Sequence, residues 1–388
     1  GGGVRHSMAQ LGAWGSAVVV AAAVSLAVWH GFSSDETPST DPLTISSYGT
    51  EGLHYGASEM QGKRSYMEDA SDVLFVSREE LGTLLAAQAG REQRVLPFAL
   101  FGVFDGHGGS KTSTYLRGHL LRRTLDVCKE ALSSSESSDI LVEQLLKSVN
   151  VKTSSTSGLV DEHDKAVEAC LLEAFIRVNA EYEGWAKEND SARWNRSGST
   201  ATVSLVYTVA KPGEESAWRI ATANAGDSRG VLGCGGLNAV IELSIDHKPN
   251  DPAEKQRIEE LGGTVTRASL RSPWRVEGIL ATSRSFGDFI LRPFVNAVPD
   301  VRFHEVPSTD EEPCTLLLCS DGFWDVYSNE EGYAFAQELR QSQLSPKEVS
   351  ERLLWTAYER LSSDNITTLV VYLDRLLPQF TRLLREVV

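Results

Sequence analysis

Short apolar runs alternate along this chain with segments of helical period. Runs rich in β-branched or large apolar residues at 70–76, 98–104, 200–207, 217–223, 315–319 and 366–373 have the length and punctuation of buried strands. Helices are marked by their starts. Asp251-Pro252-Ala253-Glu254 combines an N-cap aspartate, a first-turn proline and a glutamate three residues on, and Gly262-Gly263 supplies the stop. Ser328 with Glu331, and Ser345 with Glu348, repeat the capping box. In 163–187 the residues Val167, Leu171, Phe175, Val178, Tyr182 and Trp185 fall on one helical face, a core stripe. This alternation predicts one layered α/β or α+β domain over residues 46–375, without internal repeats.

Several segments depart from that rhythm. Residues 133–160 are Ser-rich and read as an insertion around a short helix near 140–149. The tail 376–388 has the pattern of a weak amphipathic helix with no assigned role. Between Met8 and Phe32 there is no Asp, Glu, Lys or Arg, so residues 9–31, after a short tail 1–8, are expected to form a transmembrane or signal-anchor helix. A cleaved secretory leader is the alternative. A polar linker, 32–45, joins this segment to the body.

Charge and cysteine content narrow the function. A net charge of −16 argues against a nucleic-acid groove, which is built from Lys and Arg. The five cysteines, Cys128, Cys170, Cys234, Cys314 and Cys319, are scattered with no CxxC spacing, and are expected to be free thiols. The charges flanking the apolar segment favour a body outside the cytosol. Free thiols and the sequon at Asn365, inside an acidic motif, favour a cytosolic body on a single-pass membrane protein, and that orientation is adopted here.

The acidic residues carry the chemistry. Asp105 and Asp321 each follow a predicted strand and precede a glycine, and Asp227 lies just beyond 217–223 beside another. Glu68-Asp69 and Asp364 stand immediately before strands. Taken singly each is a turn or cap residue. Together they would converge at one sheet edge, and the repulsion between them calls for cations. An all-oxygen donor set selects magnesium or manganese over zinc.

These residues lie in motifs that resemble, in order, those of the metal-dependent protein phosphatases, the type 2C serine/threonine phosphatases. The motifs are Arg64-Ser-Tyr-Met-Glu68-Asp69, Phe104-Asp105-Gly106-His107-Gly108-Gly109, Gly198-Ser-Thr-Ala201, Ala225-Gly226-Asp227-Ser228-Arg229, Asp246-His247-Lys248-Pro249, Ser283-Arg-Ser-Phe-Gly-Asp288, Asp321-Gly-Phe-Trp-Asp325 and Ser363-Asp364-Asn365-Ile-Thr367. The resemblance implies an α+β fold, a four-layer α-β-β-α sandwich with two central, mainly antiparallel sheets. It implies that Glu68, Asp105 and the Gly106 carbonyl bind one metal, and that Asp105, Asp321 and Asp364 bind a second. Asp69 and Asp325 would hold metal-bound waters, and Asp227 would help bind a third, weaker ion, unless it is a turn residue paired with Arg229. Arg64 is implied to bind the phosphate and His107 to protonate the leaving oxygen, as a water attacks phosphorus directly. Phosphoserine and phosphothreonine proteins are the implied substrates of a monomeric enzyme. Residues 252–284 match the family's substrate-selecting flap, with Glu277 where Asn is commoner. A pseudophosphatase acting as a binding module is the alternative, although it would typically have lost these aspartates.

Overall fold

A computed structural model describes residues 45–49, 54–133, 143–147, 156–158, 161–190, 194–210, 217–235, 240–307 and 313–387. The apolar segment 9–31 and most of the insertion lie outside the described residues. Among the described residues no helix is long and apolar enough to cross a membrane.

Two sheets of six strands form the centre. The first runs β1 (Ile45–Tyr48), β2 (Tyr55–Met60), β17 (Ile366–Tyr372), β16 (Cys314–Cys319), β10 (Arg229–Cys234) and β11 (Val240–Glu242). The second runs β3 (Ala70–Phe75), β4 (Arg94–Phe104), β8 (Ala201–Ala210), β9 (Ala217–Ala225), β15 (Asp300–Val306) and β6 (Thr156–Ser157). Among the described residues, the strand pairings within these two sheets are antiparallel except β15 with β6.

Strand periodicity explains the layering. On β16, Leu316 and Leu318 enter the core between the sheets, while Leu317 and Cys319 enter a second core on the opposite face. On β17, Leu369 and Val371 alternate in the same way with Val370 and Tyr372. Helices α6 (Asn329–Gln341) and α7 (Pro346–Glu359) close that second core through Tyr333, Ala336, Val349 and Leu353. Both begin with the capping boxes read from sequence, Ser328–Glu331 and Ser345–Glu348. The second sheet is covered by α2 (Lys111–Ser133) and α3 (Glu162–Asn189), after the shorter α1 (Arg78–Ala87). The predicted stripe on α3 is buried from Val167 to Tyr182, whereas Trp185 lies at the rim, 37% exposed, against Tyr115 and Tyr182.

The amphipathic pattern of the C-terminal tail forms α8 (Leu373–Val387), which continues directly from β17 and buries Leu376, Leu377, Phe380 and Leu384 in the main core. One expectation is corrected. The cysteines are not all free: Cys128 on α2 is bonded to Cys170 on α3, and Cys234 to Cys314, which face each other across β10 and β16. Partners 42 and 80 residues apart leave no local spacing signal, so only the packing discloses them. Cys319 stays free and buried, its thiol pushed well up by desolvation.

Candidate metal centre

Strand register gathers the acidic residues. Ala70 pairs with Phe104, so Asp69 before β3 and Asp105 after β4 lie at the same end of the second sheet. Val103 pairs with Thr202 and Ala201 with Ala225, which brings the turn holding Asp227 to that end. In the first sheet Arg229 pairs with Cys319 and Cys319 with Thr368, placing Asp227, Asp321 and Asp364 together. Asp321 opens α5 (Asp321–Trp324), the single turn that follows β16.

The consequence is electrostatic. Burial, followed by the nearby carboxylates of Asp69, Asp364 and Asp227, drives the Asp105 carboxyl far above its ordinary range. Asp321 is raised well up by burial and then by Asp105, Asp227 and Asp364. Asp69, which accepts a hydrogen bond from Thr367 at 2.9 Å, is pushed up to about 8, chiefly by burial. Asp325 is raised by burial, with the Lys248 ammonium opposing and the other aspartates adding. Carboxylates gathered this closely repel one another unless positive charge offsets them. Among the described residues, Asp321 Oδ1 is buried without a hydrogen-bond partner.

The cluster is nonetheless loose. Among the described residues, no three carboxylate, imidazole or thiol groups close around one point as a finished cage. Asp364 is turned toward the Arg64 guanidinium and Asp227 toward the Lys248 ammonium at 2.5 Å. The partner suggested by sequence for Asp227 is corrected here, since Arg229 instead forks onto Asp246 at 2.8 and 3.0 Å. Glu68 accepts from the Gly109 amide at 2.6 Å. Its own amide donates to Asn365 Oδ1 at 2.8 Å, and Asn365 Nδ2 donates to the carbonyls of Gln61 and Tyr66. Asn365 thus ties the Arg64–Glu68 loop to the Asp364 loop. At 3% exposure it leaves no room for a glycan.

Glycine is required at two close approaches. A Cβ on Gly106 would lie 2.1 Å from the Glu68 carbonyl oxygen. A small sheet of β14 (Phe286–Gly287), β7 (Gly198–Ser199) and β5 (Gly106–His107) holds His107 against Asp288, Nε2 to Oδ2, at 2.6 Å. A Cβ on Gly198 would come within 2.0 Å of that carboxylate and 2.3 Å of the imidazole. Burial, the largest single influence, works to lower the His107 pKa, but the carboxylates of Asp288, Asp227 and Glu68 together leave it raised. Neither Asp288 nor Lys248 is among the site residues assigned from sequence. Both end or sit within quoted motifs, and that position was the available signal.

A part-buried acidic cluster beside a half-exposed arginine and a carboxylate-backed imidazole is suited to hard cations and an anionic ester. Residues 53–366 match the family described as Protein phosphatase 2C. A rice protein named "Probable protein phosphatase 2C 45" is 34% identical over 321 residues, covering 82% of this chain and 86% of that protein. "Probable protein phosphatase 2C 59" of Arabidopsis thaliana is 33% identical over 317 residues, covering 82% and 78%. The crystal structure of a serine-threonine phosphatase 2C from Toxoplasma gondii has the same fold, with a TM-score of 0.58 at 22% identity over 85% of this chain and 99% of that one. The chain belongs to the protein phosphatase 2C family. It is therefore a metal-dependent protein serine/threonine phosphatase, and its substrates are phosphoproteins.

Proposed function

We propose that Glu68, Asp105 and the Gly106 carbonyl hold one magnesium or manganese ion, and that Asp105, Asp321 and Asp364 hold a second. Asp69 and Asp325 fix the surrounding waters, and Asp227 contributes to a third, weaker position. When bound, such ions make water acidic enough to supply a nucleophile near neutral pH. The observation that carries this reading is the convergence of part-buried Asp105 and Asp321, raised first by burial, with Asp69, Asp227 and Asp364, whose like charges raise them further, and the unpartnered Asp321 Oδ1. Proline, glycine and backbone turns alone give no reason to gather such a cluster.

The chain's own groups do the rest. Arg64 is 53% exposed on its side chain, so its fork is free to exchange Asp364 for two phosphate oxygens. His107, whose protonated form the Asp288 carboxylate favours, is the acid that delivers a proton to the departing seryl or threonyl oxygen. The two disulfides support the other orientation, with the body in an oxidising compartment.

Purified protein should hydrolyse phosphoseryl and phosphothreonyl peptides with manganese or magnesium and stop when a chelator is added. Undiminished turnover in chelator would refute the proposed ion-binding role.

A further inference from the structure

The flap carries a positive site that the reaction centre does not use. It comprises α4 (Pro252–Glu260) and the hairpin β12 (Val265–Thr266) with β13 (Arg275–Val276), on a small core of Ile258, Val265, Val276, Leu291 and Val295. Buried ion pairs hold its base: Glu254 bonds Arg284 at 2.6 Å and Arg257 at 2.8 Å, and Arg284 reaches Asp300 at 2.7 Å. The excursion leaves the body just after Lys248, which pairs with Asp227. It returns just before Asp288, which bonds His107. Both of its roots therefore touch the candidate centre.

At the hairpin end a depression of about 280 Å³ is lined by Thr266, Arg267, Ser272 and Arg275, with Arg271 exposed in the same loop. Arg267 lies over the Trp274 ring at 4.7 Å, and Arg275 donates to the Ile279 carbonyl at 2.5 Å. Among the described residues none of these three arginines has a carboxylate partner. Arg117, Arg219, Arg229, Arg257 and Arg284 all do. The acid within the hairpin, Glu277, is turned to the amide and hydroxyl of Thr264 and leaves the cluster uncompensated. In a chain of net charge −16, three arginines within residues 267–275 make a local positive patch. Leu270, 84% exposed, and Ile279, 58% exposed, stand beside them, apolar contacts that a free inorganic ion would not use.

We propose that this pocket binds a multi-oxygen anion carried on a peptide: acidic or additionally phosphorylated residues flanking the scissile phosphoresidue of the substrate. The proposal rests on the phosphatase reading. Arginine forks match carboxylate and phosphate oxygens alike, and Leu270 and Ile279 supply the peptide contact. The flap thereby selects phosphoproteins with an acidic neighbourhood.

The test uses the whole chain, an Arg271→Glu variant and an Arg267→Glu/Arg271→Glu variant. Fluorescence anisotropy compares a labelled Glu-containing peptide lacking any phosphoester with its Gln counterpart, and sodium phosphate is added as competitor. Kinetics compare p-nitrophenyl phosphate with phosphoseryl peptides that have acidic or neutral flanks. The wild type should bind the Glu peptide about tenfold more tightly and turn over the acid-flanked substrate at lower KM. Both variants should lose these preferences while hydrolysing p-nitrophenyl phosphate as before. Equal binding of the two peptides, preferences surviving in the variants, or phosphate binding without peptide discrimination would overturn the subsite. Absent turnover with the peptide preference intact would overturn the phosphatase reading and leave the anion subsite standing.

Discussion

His107 and Asp288 show how one contact sets a protonation state. The carboxylate 2.6 Å from Nε2 opposes the desolvation of a part-buried imidazolium and, with Asp227 and Glu68, leaves the pKa raised. Sequence offered His107 as a loop histidine between glycines. Its partner lies 181 positions away and is brought in by the β5–β7–β14 strip, so the pair could not be read locally. Replacing Asp288 with Asn removes the charge that favours the imidazolium. The basic limb of the kcat profile, where the acid form is lost as pH rises, should then move to lower pH. Turnover of phosphoseryl peptides should fall by roughly ten- to a hundredfold, while p-nitrophenyl phosphate, whose leaving group needs little protonation, should be much less affected. A pH–rate series on both substrates checks this, and equal losses with an unmoved limb would make Asp288 merely structural.

The elements were legible where their signals are local. Capping boxes at Ser328 and Ser345, the Asp251 cap with Pro252, and the runs that became β3, β9, β16 and β17 could all be read from neighbouring residues. Strands β2 and β15 were missed because their apolar residues are interleaved with polar ones, and β10 because its two glycines break a short apolar run. The disulfides belong to this second kind. Cys128–Cys170 fastens α2 to α3 and Cys234–Cys314 joins adjacent strands, and closing loops of 42 and 80 residues is worth roughly 3–5 kcal/mol each in the chain-entropy account. Reductant should therefore lower the thermal midpoint by several degrees without changing the native fold. Melts with and without dithiothreitol, beside intact-mass measurement of unreduced protein, test this. Identical melts and five free thiols would contradict it.

At the scale of the molecule, two sheets present their strand ends on one side, and the register carries carboxylates from five separated motifs to that end. The placement of acids before or after strands was visible in sequence. The ion pairs Arg64–Asp364 and Lys248–Asp227 were not, because they link distant loops. The central claim is that the repulsion stored among these carboxylates is relieved by divalent ions. Calorimetric titration of manganese into chelator-stripped wild type and Asp321→Ala at neutral pH tests it most directly, with circular dichroism verifying that both are folded. The account predicts saturable binding of more than one ion to the wild type, loss of at least one site in the variant, and retained folding, since the substitution also removes a repelled buried charge. Unchanged manganese binding by a folded Asp321→Ala, or no binding by the wild type, would contradict it.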